Sequence, residues 1–191
     1  MKLSEELKAA IKRMPIAEKD KLLLRLIPKN DDLVRKLEFE LLEGGDTAEL
    51  RRDELKEEFT ALFNNYPRAF YSPGYLMMDL RDCSGAITKH VKATKDKVGE
   101  IELNLLMLVQ ALERNEEKLQ NSPARKLDTF NNYVIKRAVK IMGLIDKQHE
   151  DYRIDFQDHV QKLGQLIKNQ PIMNKSTLYL GLNVEYLIEF E

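Results

Sequence analysis

The sequence predicts a mainly all-α protein, and three observations carry that reading. Apolar residues recur at steps of three and four along most of the chain, which is the period of one helix face. Two Ser-Pro dipeptides, Ser72-Pro73 and Ser122-Pro123, each open a long run of this kind. Ser before a helix and Pro at its first position are the chemistry of a helix start. Pro15, Pro28 and Gly44-Gly45 punctuate residues 1–66 into short helices, whereas no proline falls inside either long run. The expected architecture is a module of short helices over residues 1–66, a long antiparallel helical hairpin or four-helix bundle over 67–171, and a tail, 172–191, that reads as a C-terminal β-strand or small hairpin.

In the first module, Ser4 caps a helix through about Arg13, with Leu3, Leu7, Ala10 and Ile11 on one side. Pro15 ends it or begins the next. Leu22, Leu23, Leu24, Leu26 and Ile27 make a second helix that is apolar on most faces, hence expected at the centre of the module. Pro28 stops it. Asn30 or Asp31 caps a third helix whose buried stripe is expected to be Leu33, Val34, Leu37, Leu41 and Leu42, and Gly44-Gly45 is a C-cap signal. A fourth helix starts at Asp46 or Thr47, carries Leu50, Leu55, Phe59, Leu62 and Phe63, and is expected to end before Pro67. The connector 64–75 is rich in aromatic residues (Tyr66, Phe70, Tyr71, Tyr75), which are expected to pack the module against the base of the hairpin.

The first long run places Leu76, Leu80, Cys83, Ile87, Val91, Thr94, Val98, Ile101, Leu105, Leu108, Leu112 and Leu119 on one heptad-like stripe, a coiled-coil pattern. The second places Leu127, Phe130, Val134, Ala138, Ile141, Ile145, Tyr152, Phe156, Val160, Leu163 and Ile167 likewise, with one seven-residue step over Gln148. Unbroken, each run of about 47 residues would be ~70 Å long. The short link at Asn121 makes them antiparallel neighbours. Two weak places, Lys95–Gly99 and Gln148–Asp151, would instead fold the same residues into a four-helix bundle. In the tail every even position from Leu178 to Phe190 is apolar, the period of a strand. A strand there needs a partner edge, expected in a second subunit; the competing reading is a short helix using Val184, Leu187 and Ile188.

Composition narrows function mostly by exclusion. The net charge of −1 gives no global attraction to nucleic acid or anionic lipid. The single cysteine forbids an internal disulfide. The most apolar stretch, Ile101–Leu112, is interrupted by Glu102, Asn104 and Gln110, too short and too polar to span a bilayer. The opening MKLSEELKAAIKRM carries charge throughout, unlike a secretory signal. A cytoplasmic protein with no membrane partner is expected. No Gly-rich phosphate loop, HExxH, CxxC or GxSxG pattern occurs. Cys83 falls on the apolar stripe, an inert position. Asp146/His149 and Asp155/His159 each share a helix face. With His90 and Glu100 or Glu102 they form the one constellation that a metal or acid-base site would draw on. His149 and His159, ten apart, point about 80° from each other on one helix. Lys136, Arg137, Lys140 and Lys147 make a basic stripe in a segment, 122–170, with nine basic and six acidic residues; it is interleaved with Asp146 and Glu150.

The expectation is a non-enzymatic helical interaction or scaffold protein. Its partner is another protein or a second copy, met through the hairpin surface and the tail 172–191. No catalytic, cofactor or metal residue is assigned. The rivals are a metal-dependent enzyme or ligand-binding bundle using the His and Asp residues, and a nucleic-acid-associated regulator using Lys136 and Lys140.

Overall fold

The computed structural model describes residues 3–191, the Pro67 side chain excepted. Eleven α-helices and no strand occur among them. The chain divides into two compact units, Met1–Thr47 with Lys92–Thr94, and Ala48–Val91 with Lys95–Glu191.

The first unit contains α1 (Glu5–Arg13), α2 (Ile16–Leu26) and α3 (Asp31–Leu37). Their starts follow the expected cap chemistry. Ser4 Oγ accepts from the Leu7 amide at 3.2 Å, and Asn30 Oδ1 from the Leu33 amide at 3.1 Å. Pro28 ends α2, the chain passing into a 3-10 turn over Ile27–Lys29. After α3 the backbone widens into a π turn over Glu38–Leu42. That turn takes an extra residue per bond, so the apolar stripe slips. Phe39 is buried, while Leu41 and Leu42, expected inside, are 73% and 81% exposed. Gly44 and Gly45 follow at φ 70° and 79°, and the Gly45 amide donates to the Phe39 carbonyl at 2.9 Å, closing the helix end in the left-handed conformation glycine favours. The expectation that α2 lies centrally is corrected: it buries no residue, and Leu24 is 72% exposed.

The second unit begins with α4 (Ala48–Ala69), which runs through Pro67 instead of stopping before it. Tertiary packing overrides the proline. Phe63 and Tyr66 are buried with ring centroids 6.1 Å apart, and the Tyr66 hydroxyl donates to the Asp79 carboxylate. Ser72 then caps α5 (Pro73–Thr94), accepting from the Tyr75 amide.

Neither long run is a continuous helix, so the ~70 Å hairpin expected on a rise of 1.5 Å per residue is corrected to folded-back segments. The first breaks at Lys95, whose φ is 64°, and restarts as α6 (Lys97–Arg114) and α7 (Glu116–Gln120). The second comprises α8 (Ala124–Ile145), a 3-10 turn over Glu150–Tyr152, and α9 (Arg153–Lys168). Ser122 differs from Ser72: its hydroxyl donates backward to the Lys118 carbonyl at 2.7 Å, and α8 has no side-chain cap. α6 is the axis of this unit, with α4, α8 and α9 packed against it. Ten of its residues are buried, from Gly99 to Leu112, which is the environment a helix apolar on nearly all sides requires.

The tail is helical, and the strand expectation is corrected. It forms α10 (Pro171–Leu180) on α8, and α11 (Val184–Ile188) on α9. Gly181, at φ 73°, ends α10, and Asn183 Oδ1 accepts from the Tyr186 amide at 3.1 Å to start α11. Local caps therefore win over the period-two pattern. Leu182, Val184, Leu187 and Phe190 enter the core, whereas Leu178 stays 83% exposed. Gly164 of α9 permits this contact: a Cβ there would lie 2.9 Å from Leu187 Cβ and 3.1 Å from the Ile188 amide nitrogen.

Candidate interaction surface

Amphipathic helices fold by burying their apolar stripe, and the helices of the first unit leave much of theirs uncovered. Neither α1 nor α2 buries a residue. Leu3, Leu7 and Ile11 of the α1 stripe, Ile16, Leu23, Leu24 and Leu26 of α2, and Leu41 and Leu42 of the π turn are all exposed. Apolar exposure of this kind is what docking surfaces of folded proteins are built from. The second unit, although it buries a large core, also exposes apolar side chains, among them Leu178 and Tyr179. Tyr71 and Tyr75 meet edge to face at 4.8 Å and both are exposed, as is Met78. The connector aromatics thus divide: Tyr66 is buried and Phe70 partly buried, while Tyr71 and Tyr75 face outward.

The residues with catalytic or metal-binding chemistry are dispersed. Cys83 is 4% exposed, and burial, with the Asp79 and Asp82 charges, pushes its thiol up to about 12. It is protonated and inert at neutral pH. His149 caps the 3-10 turn, its ring 3.1 Å from the Asp151 carboxylate and largely exposed. His159 is exposed on α9, and Asp146 ends α8. Glu100 pairs with Lys140 at 2.9 Å, and Glu102 with Arg52 at 2.9 Å and Lys56 at 2.6 Å. No group of three or more His, Cys, Asp or Glu among the described residues is placed to hold a metal ion. The basic stripe is likewise divided. Besides Lys140, Arg137 is half-buried, donating to the Tyr133 hydroxyl at 3.2 Å and to Asn104 Oδ1 at 3.4 Å. Lys136 and Lys147 lie exposed.

One cluster was not legible in the sequence. At the corner between α5 and α6, Asp96 caps α6 through the Gly99 amide (2.8 Å) and also meets His90 Nε2 at 3.1 Å and Arg52 Nε at 3.3 Å. The three side chains are 9%, 3% and 14% exposed. Burial alone would raise the Asp96 carboxyl, but the His90 hydrogen bond, the Gly99 amide and the Arg52 charge outweigh it and hold it below the usual carboxylate range. Arg52 is held up in turn: burial opposes its charge, and Glu102 and Asp96 more than compensate. The Asp-x-x-Gly pattern after the first break announces the cap, but Arg52, forty-four positions earlier, carries no sequence mark. These groups pair by charge and pin α4 to the corner, although Arg52 Nε approaches Asp96 as an ion pair and makes no hydrogen bond; the cluster is architectural.

No helix among the described residues is long and apolar enough to cross a membrane. Comparison with protein-family models, with curated proteins and with solved structures finds no match.

Proposed function

We propose that this chain is a non-enzymatic interaction protein that docks on a protein partner through the apolar face of its N-terminal helices. The observation that carries the reading is the contrast between α1 and α2, which bury nothing, and α6, which buries ten residues. Covering one half-exposed Leu or Ile contributes about 1 kcal/mol. Nine such side chains in one unit supply a driving force comparable to the ~4–15 kcal/mol cost of association. The dispersed His and Asp residues and the buried thiol give catalysis no comparable support.

Site-specific photocrosslinking in the native cell tests this. A crosslinker at Leu24 or Leu41 is expected to trap a discrete protein species, while one at the exposed polar Gln165 is not. Equal, diffuse labelling from all three positions would remove the reading.

A further inference from the structure

We infer that the partner is a second copy of this chain, with α1 packed antiparallel against its own counterpart. The inference rests on the reading above and names the occupant. α1 is a formed, capped helix whose stripe, Leu3, Leu7, Ala10 or Ile11, and Met14, steps by three and four, the spacing of a two-helix seam. Leu3, Leu7 and Ile11 are 51%, 47% and 38% exposed, and the small Ala10 stands near the middle of the stripe, where it lets two backbones approach.

Charge selects the partner. α1 carries Glu5 and Glu6 in its first turn and Lys12 and Arg13 in its last. α2 repeats the polarity with Glu18 and Arg25. At about 100° per residue, Glu6 and Arg13 flank the stripe on one side, whereas Glu5 and Lys12 lie on the opposite face. Two identical helices laid antiparallel bring Glu6 of each beside Arg13 of the other, so both ends attract about a twofold axis. A parallel pair sets like charges together at both ends. A uniformly anionic surface, such as a phosphate backbone or lipid headgroups, attracts one end of α1 and repels the other.

Charge exchange in the full-length protein, read by sedimentation equilibrium, tests the inference. The wild-type chain is expected to sediment at twice its monomer mass. Glu5→Lys with Glu6→Lys makes both ends of α1 basic; Lys12→Glu with Arg13→Glu makes both ends acidic. Each variant alone is expected to lose dimer affinity by about tenfold or more, since like charges then face each other at both ends. An equimolar mixture is expected to restore dimers, now of mixed composition, whose chains are distinguished by a mass tag on one. Far-ultraviolet circular dichroism of each variant confirms that helix content is kept. Acidic first turns and basic last turns also complement the helix dipole, but that effect alone predicts no rescue on mixing. A monomeric wild-type chain at its solubility limit, a dimer indifferent to both exchanges, or a mixture no more associated than its components would each overturn the inference. If crosslinks from Leu24 then trap a different protein, the docking role stands and only self-association falls.

Discussion

Gly99 sits where an extra methyl group has nowhere to go. A Cβ at this position would lie 2.0 Å from Asp96 Oδ2, 2.6 Å from its Cγ and 3.0 Å from Arg52 Cδ. Gly99→Ala therefore expels the Asp96 carboxylate from its cap. Losing an N-cap costs about 1 kcal/mol, and loosening a buried charged hydrogen-bond partner costs about 1.5–3 kcal/mol more. Against this, Ala exceeds Gly in helix propensity by about 1 kcal/mol. The expected net effect is destabilisation by about 2 kcal/mol, or roughly 4–8 °C in Tm for a chain of this size. Urea unfolding followed by circular dichroism measures it as a lower midpoint at unchanged slope. In an Asp96→Ala background the carboxylate obstacle is gone and only the flexible Arg52 side chain, with Cδ at 3.0 Å, must give way, so the same Gly99→Ala change is expected to stabilise by up to about 1 kcal/mol. Stabilisation in the otherwise wild-type chain would refute the close-approach argument.

Two other glycines separate packing from propensity in the same way. Gly164→Ala is expected to cost about 1–3 kcal/mol by overpacking and to lower hydrogen-exchange protection first in α11, which its Cβ would strike. Gly143→Ala, with nothing within 4 Å of the added carbon, is expected to stabilise by up to about 1 kcal/mol. Cys83, its thiol pushed up to about 12, is expected to resist a disulfide reagent at pH 8 in the native chain and to react promptly in denaturant; prompt native reaction would contradict its burial. The Asp96 carboxyl titrates below its usual range in the folded state, so its stabilisation is complete above the unfolded value, about 3.9, and is lost as pH falls through the folded one. Asp96→Asn is thus expected to weaken the protein at neutral pH, with the gap to wild type closing below about pH 4, as chemical denaturation across pH would record.

The parts of the fold that were legible are those written in local chemistry. Ser4, Asn30 and Ser72 cap helices because a side-chain oxygen one turn from free amides does so wherever it occurs. The stripe Leu76, Leu80, Cys83, Ile87 is buried as its spacing requires. The misread parts each set one local signal against a competitor, either a second local signal or tertiary burial. Along Leu178–Phe190 the alternation of apolar residues pointed to a strand, but Gly181 and Asn183 are also a helix stop and a helix start, and no strand among the described residues offers an edge to pair with. At Pro67 the propensity to stop lost to the burial of Phe63 and Tyr66. For the candidate surface, the apolar residues of α1 and α2 were all visible; that they stay uncovered was not.

The sequence alone determined the helical class, most helix starts and the apolar stripes of the long runs, because these depend on groups within one turn of each other. Only the tertiary structure decided that both runs fold back, that α6 is the axis, that Asp96 meets Arg52, and that the N-terminal helices bury nothing. Those outcomes depend on which stripe finds a complementary surface, and burial is a property of pairs of distant segments that no single segment encodes.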